Sequence, residues 1–334
     1  MSMKKCIHTY DNIISVENLL RAWLEFKRGK TKKSDVQEFE RDLMSNIFIL
    51  HTELMNKTYK HGTYEHFVIN DPKRRDIHKA SVRDRLVHHA IHRVLYPYFD
   101  SKFIYDSYSC RVGKGTHRAL YRFEAFSRQV SQNYNKQCWV LKCDIRKFFA
   151  SIDHDILYCI LEKHVIDRDV LWLIHDVVNS FNSGITGKGL PLGNLTSQLL
   201  VNIYMNEFDQ YVKHELKEKY YLRYADDSVF LSRDKLYLEI LRQKCAAFLL
   251  EKLSLMLHPD KVFLQTFASG VDFLGWVHFP HHCILRATSR RRMLRKIVDS
   301  EGKVTSVTSY LGLLQHGNGF RLAIKVNELA STFE

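Results

Sequence analysis

Tyr221-Leu222-Arg223-Tyr224-Ala225-Asp226-Asp227-Ser228-Val229-Phe230-Leu231 sets two adjacent carboxylates between two apolar, aromatic-rich arms. The arms read as strands and Ala225-Asp226-Asp227 as the tight turn joining them, which puts the acids at the tip of a half-buried hairpin. One charge would serve solubility at such a tip. Two side by side repel each other, and divalent cations would relieve the repulsion. Asp is also an ordinary turn residue, so a solvated turn is the other reading of the pair. A metal site therefore needs parts from elsewhere in the chain.

Trp139-Val140-Leu141-Lys142-Cys143-Asp144 is a short apolar run ending in an acid. It reads as a central strand buried on both faces, with Asp144 emerging at its end, where open sheets place ligands. Asp144 as a helix cap and Phe149 as plain core are the structural alternatives. Phosphate chemistry is suggested by Lys73-Arg74-Arg75-Asp76, whose Lys73 and Arg75 could hold a triphosphate or could line a solvated loop. Tyr108-Ser109-Cys110-Arg111-Val112-Gly113-Lys114-Gly115-Thr116-His117 joins two glycines and basic side chains to a helix start, where amides could meet an anion. Leu190-Pro191-Leu192-Gly193-Asn194-Leu195-Thr196-Ser197-Gln198 is a second turn of this kind, in which Gly193 permits close backbone approach to a ligand.

These residues need a scaffold, and periodicity supplies one. Residues 15–28 put Leu19, Leu20, Trp23 and Phe26 on one helical face. Ser34-Asp35-Val36-Gln37 predicts a capping box opening a second helix through Val36, Phe39, Leu43, Ile47, Leu50 and Leu54. A helix through Leu86, Ala90 and Val94 should end at Pro97. Ser151-Ile152-Asp153-His154-Asp155 marks another helix start, and helices are expected over about 164–182, Leu199 to about Lys217, and Leu236–Leu255. Leu257–Val262 returns to a strand, and Phe273-Leu274-Gly275-Trp276 is a short hairpin. One or two further helices follow, including a basic one over Ser289–Val298.

Composition narrows the partners. The 334 residues are 45% hydrophobic and 26% charged, as in an ordinary globular protein, but the net charge is +13. Seven basic residues lie between Pro72 and Leu95 and seven between Arg286 and Lys303, including Arg290-Arg291-Arg292. Clustered cations with 17 Tyr and 20 Phe favour nucleic acid over a diffuse basic surface. The Arg290–Lys296 face suits a phosphate backbone, with a solvated helix face as the alternative. Seven cysteines without paired spacing fit a reducing compartment. His281-His282-Cys283 has no second half of a zinc site and reads as a strand end. Met1-Ser-Met-Lys-Lys-Cys has no apolar leader pattern, and no stretch is long enough to span a membrane, which points to the cytosol.

The order of these blocks resembles the reverse transcriptases from about Lys73 to Trp276: Asp144, the Gly193 turn, the Tyr-x-Asp-Asp hairpin, Lys261 and Phe-Leu-Gly-Trp. The resemblance implies an α+β right-hand polymerase with fingers, a ferredoxin-like palm and a short helical thumb. Its expected divisions are a helical extension at 1–70, fingers and palm at 71–283, and a thumb at 284–334. It implies that Asp144 and Asp226 ligate two Mg2+ ions (or Mn2+), with Asp227 as a weaker third carboxylate and the Ile145 carbonyl as a further ligand. Lys73 and Arg75 would hold the dNTP triphosphate. Phe149 would exclude a ribose 2′-hydroxyl, and Leu192, Gly193, Gln198 and Lys261 would also line the dNTP site. Tyr224, Ser197, Arg111, Arg290, Arg291 and Arg292 would meet primer or template.

Most of the family carries Gln before that glycine and Ser-Pro at the end of the turn; here Leu192 and Gln198 occupy those places. This variant, with Arg83-Asp84-Arg85-Leu86-Val87-His88-His89 and Ser309-Tyr310-Leu311-Gly312, resembles the enzymes of diversity-generating retroelements. That resemblance implies a bacterial or phage-encoded cytoplasmic enzyme copying a template RNA with errors at adenines, aided by a small, basic, oligomeric accessory protein. Loss of the amide at Leu192 also removes a geometric check on the nascent pair, which lowers discrimination. The residues after Trp276 suit a compact thumb and are too few for maturase, endonuclease or RNase H domains. Other compact bacterial reverse transcriptases, such as a retron, defence-associated or group II intron-derived enzyme, are the nearest alternative. A non-catalytic RNA-binding relic is the distant one.

Overall fold

Nine strands form three sheets among the described residues, 9–71 and 74–333 of a computed structural model. β1 (Glu65–Ile69) pairs antiparallel with β2 (Arg75–Lys79). β3 (Trp139–Ile145), β4 (Tyr221–Tyr224), β5 (Asp227–Ser232) and β6 (Leu257–Thr266) form a sheet in the order β4-β5-β3-β6. β7 (Val271–Phe273), β8 (Trp276–Phe279) and β9 (His282–Leu285) form an antiparallel meander. The chain divides into two compact units, each discontinuous in sequence. One comprises residues up to Tyr105 with Ile145–Lys217 and Ala246–Leu257; the other comprises Asp106–Asp144, Glu218–Cys245 and the residues from His258 onward. Lys73 lies outside the described residues.

The first unit is mainly helical. Val16–Phe26 buries Leu19, Trp23 and Phe26 of the predicted stripe, with Ala22 buried beside them and Leu20 only half-buried. The expected capping box does not form. Lys33 takes the cap position of the Ser34–Arg41 helix without a side-chain bond, while Asp35 turns to Arg85 at 2.6 Å and Lys79 at 3.0 Å. The predicted continuous helix from there is interrupted at Asp42, and a separate helix, Leu43–Met55, follows. Pro97 does not end its helix either. Val82–Asp100 continues through it, because burial of Leu95 and Phe99 on either side outweighs the single backbone bond that proline forfeits. Asp153 caps His154–His164 by accepting from the Ile156 amide at 3.2 Å, as Ser151–Asp155 predicts.

The same unit buries histidines. His88 lies fully inside, its Nε2 3.0 Å from that of His61 beside buried Asp84, and burial pushes its pKa down to about 3. Burial likewise lowers His89 and His92 to about 4. Their ordinary value is about 6.5, so below it the unfolded chain takes up protons that the folded chain refuses. Stability is therefore complete above about pH 6.5 and lost as pH falls toward 4, at up to about 1.4 kcal/mol per group per pH unit. Urea unfolding should show a clearly lower midpoint at pH 5 than at pH 7, and His88→Gln should flatten that dependence. Equal midpoints would exclude these histidines as the cause.

The second unit carries the β4-β5-β3-β6 sheet, with the helix Thr116–Val130 packed on it through Phe123, Phe126 and Leu120 against Leu222, Val229 and Leu231. Cys138 just before β3 and Cys143 within it are small core residues, and burial raises both thiols to about 12. Leu274 (φ 49°) and Gly275 (φ 92°) both take left-handed backbone, which a two-residue β7–β8 turn of the hairpin kind requires. Three helices follow, not one or two: Ala287–Asp299, Val304–Leu314 and Phe320–Ser331. They close a core of their own around Met293, Ile297, Leu314 and Val326. No helix among the described residues is long and apolar enough to cross a membrane.

Candidate active site

The sheet register assembles the carboxylates. β3 pairs with β5 so that Cys143 faces Ser228 and Lys142 faces Val229; one step further along, Asp144 comes level with Asp227. β4 pairs with β5 through Tyr224 and Asp227, leaving Ala225 and Asp226 as the turn. Three acids that are distant in sequence or locked in a turn therefore share one sheet end. Side chains alternate along a strand, so Lys142 lies on the same face as Asp144.

The electrostatics record the crowding. The Asp226 carboxyl is pushed up to about 6, first by burial, then by the charges of Asp227 and Asp144, with Lys261 opposing. Lys261 Nζ on β6 lies 3.4 Å from Asp144 Oδ1, and Lys142 Nζ lies 3.4 Å from Asp227 Oδ1. Carboxylates balanced by ammonium groups are hard oxygen donors of the kind that suit a hard divalent cation. Among the described residues no three acid, His or Cys side chains close into a metal cage. An open site is the usual form where carboxylates share Mg2+ with substrate phosphates.

The turn itself is braced from behind. Ala225 takes left-handed backbone (φ 54°), which is unfavourable for a residue with a Cβ. Arg223, 0% exposed, donates from Nη1 to the Ala225 carbonyl at 2.9 Å and from Nη2 to Ser107 Oγ at 3.2 Å. Ser107 belongs to a short segment running parallel to β4: Arg223 N donates to Asp106 O and Tyr108 N donates to Arg223 O, both at 2.9 Å. Arg122 holds the Asp106 carboxylate from Nε and Nη2. The Tyr224 hydroxyl lies 3.2 Å from Thr116 Oγ1 at the start of the Thr116–Val130 helix. Arg111, expected on a polymer, donates to the Ser107 carbonyl at 3.0 Å, and Lys114 lies over the Tyr108 ring. The glycine-rich stretch thus supports the hairpin.

The first unit gathers several residues expected at the dNTP. Leu190 N donates to the Phe149 carbonyl at 2.8 Å, and His78 N on β2 donates to the Leu192 carbonyl at 3.2 Å. Asn194 Nδ2 reaches His78 O at 3.3 Å. Glycine suits position 193 because its backbone (φ 109°) is strained for any residue with a Cβ, which would also sit tightly against Ile77 Cγ2 at 3.2 Å. The loop thus links Phe149 to the strand that carries exposed Arg75. The following helix starts at Leu195, four residues earlier than expected, and takes Ser197 and Gln198 into its first turn. Ser197 is only 2% exposed and Thr196 before it is buried too, while Gln198 is half-buried. Ile145 ends β3.

In the C-terminal helices Arg290 and Arg291 are exposed, and Arg292 is half-buried. With Arg321 and Lys325 the first two line a groove of about 540 Å³ whose walls include Leu294 and Leu322. The sequence reading missed Lys142 and Arg223. Lys142 could have been found from its i, i+2 relation to Asp144. Arg223 could not, because a lone cation in an alternating strand reads as the solvent-facing residue.

The family described as reverse transcriptase (RNA-dependent DNA polymerase) matches residues 60–278. Protein YkfC of Escherichia coli is 25% identical over 295 residues, covering 76% of this chain and 75% of that protein. The group II intron-encoded protein LtrA of Lactococcus lactis is 26% identical over 156 residues, 45% of this chain and 25% of its own length. Among solved structures, apo telomerase from Candida tropicalis lacking its C-terminal domain superposes with a TM-score of 0.51 at 12% identity, over 72% of this chain and 60% of that one. At that identity the likeness concerns fold alone, an α+β polymerase fold of the palm, fingers and thumb type.

Proposed function

The chain belongs to the reverse transcriptase (RNA-dependent DNA polymerase) family, and from that premise we propose that it copies a template RNA into cDNA by two-metal nucleotidyl transfer at Asp144, Asp226 and Asp227. The observation that carries this is the gathering of Asp144, Asp226 and Asp227 at one sheet end by the β3–β5 and β4–β5 registers, an arrangement that costs electrostatic repulsion. A relic without catalysis would have no reason to keep that cost. Asp144 and Asp226 hold the cations, with Asp227 as the weaker third acid and the Ile145 carbonyl as a further donor. Mg2+ or Mn2+ held by these carboxylates would supply the Lewis acidity that activates a primer 3′-hydroxyl and offsets charge on the departing pyrophosphate. Lys142 and Lys261 balance the carboxylates meanwhile, and Lys261, 44% exposed, is free to turn to a phosphate oxygen. Tyr224 supports the primer terminus. Arg75, and Lys73 beyond the described residues, bind the triphosphate, and Phe149 excludes the 2′-hydroxyl. Arg290, Arg291 and Arg292 follow the backbone of the template–primer hybrid.

Within the family, the reading that best suits Leu192 and Gln198 is an error-prone enzyme of a diversity-generating retroelement, with faults concentrated at template adenines and an accessory protein helping it engage its RNA. The Leu192 carbonyl is fixed on β2 while its half-buried side chain has no amide to test the nascent pair. cDNA made on a defined RNA should carry about ten- to hundredfold more errors at adenines than at other bases, and Leu192→Gln should lower the excess. An error rate flat across the four bases would overturn this reading. The likeness to LtrA favours the second one, a group II intron-derived enzyme of ordinary fidelity.

A further inference from the structure

We propose that Arg223 is a positioning residue for the metal-binding turn, holding Asp226 in place through the carbonyl of Ala225. This rests on the two-metal reading above. Burying a guanidinium completely is costly, and a chain tolerates it only where the donors are used. Here they go to the turn and to the segment behind it: Ala225 O at 2.9 Å and Ser107 Oγ at 3.2 Å.

The covalent geometry makes the first of these bonds consequential. The Ala225 carbonyl and the Asp226 amide share one rigid peptide plane. Fixing the oxygen therefore fixes the plane from which the Asp226 Cα and its carboxylate depart. It also holds Ala225 in the left-handed conformation that it would otherwise leave. Arg223 can act as a rigid post because its own backbone is tied on both sides, to Asp106 O and Tyr108 N, and Asp106 is in turn clamped by Arg122. The support thus runs from Arg122 through Asp106 and Arg223 to Ala225 and ends at the carboxylate. Lysine carries the charge but not the planar fork, so it cannot serve Ala225 and Ser107 together.

The test compares full-length wild type, Arg223→Lys and Ser107→Ala by thermal unfolding, by Mn2+ binding without nucleotide (electron paramagnetic resonance), and by dTTP incorporation on poly(rA)/oligo(dT). Arg223→Lys should stay folded and lose about 100-fold in kcat, with KM for dTTP within about threefold of wild type, since an error of an ångström in position costs that much. Its Mn2+ binding should weaken about tenfold. Ser107→Ala keeps the backbone brace and the charge, and should shift kcat and Mn2+ binding the same way by about threefold to tenfold. A folded Arg223→Lys with wild-type kcat and Mn2+ affinity would overturn the proposal. So would an unfolded Arg223→Lys beside a Ser107→Ala indistinguishable from wild type. If wild type binds Mn2+ but incorporates nothing, the polymerase reading fails, and the Mn2+ data still decide the role of Arg223.

Discussion

Asp226→Asn should reduce extension of a primer on an RNA template by about a thousandfold or more, while making the metal-free protein more stable. Both effects have one origin. The carboxyl of Asp226 is raised to about 6 by burial and by the charges of Asp227 and Asp144. At pH 8 it is ionised against its preference, and the amide of the same shape removes that strain. A shift of this size corresponds to at most about 3 kcal/mol, which screening by solvent reduces, so a rise of a few degrees in Tm is expected. For a carboxyl raised in the folded state the stabilising effect is present at low pH and lost as pH rises through about 4 to 6. Asp226→Asn should abolish that component and leave the opposite histidine trend intact. Primer extension and thermal unfolding on the same preparations check both. Equal activity in variant and wild type would refute the assignment.

Trp276→Ala should cost about 3–5 kcal/mol in urea unfolding, the range for deleting a large buried aromatic. Trp276 is 2% exposed and opens β8 after the left-handed turn at Leu274 and Gly275. It packs with Phe273, Leu285 and Leu313. Its ring also fills the space beside Gly317, where an added Cβ would lie 2.3 Å from the ring and 2.9 Å from Cys283 Sγ. Asn318 N donates to Cys283 O at 2.8 Å and secures the same turn between the last two helices. Gly317→Val should therefore destabilise by overpacking where Trp276→Ala does so by a cavity, and Trp276→Phe should cost less than either. A loss under about 1 kcal/mol for Trp276→Ala would mean that this contact does not anchor the C-terminal helices.

Reading the strands succeeded where the signal was local. The hairpin at Ala225-Asp226, the strand ending near Asp144, the helix after Gly115 and the turn at Leu274-Gly275 are each encoded within a few residues, and all four are present. The expectations that failed were also local, and tertiary packing overrode them. Ser34 lost its cap role once Asp35 paired with Arg85 and Lys79. Pro97 was carried through because Leu95 and Phe99 are buried on either side. Gly193 was legible as a close-approach glycine, but its neighbour, strand β2 at Ile77 and His78, was not.

By itself, the sequence determined which residues are candidates for the chemistry and in what order they fall, because turn preference, alternation and acid type are properties of short stretches. Only the tertiary structure decided that Asp144 comes level with Asp227, since that depends on the β3–β5 register between strands some eighty residues apart. It alone decided that Arg223 is buried along with Tyr221 and Leu222 on both faces of β4, because a parallel segment at Ser107 covers that edge. The raised pKa of Asp226 has the same source. An isolated hairpin would leave its carboxylate in water, and the folded sheet adds burial and the charge of Asp144 to that of its neighbour in the turn.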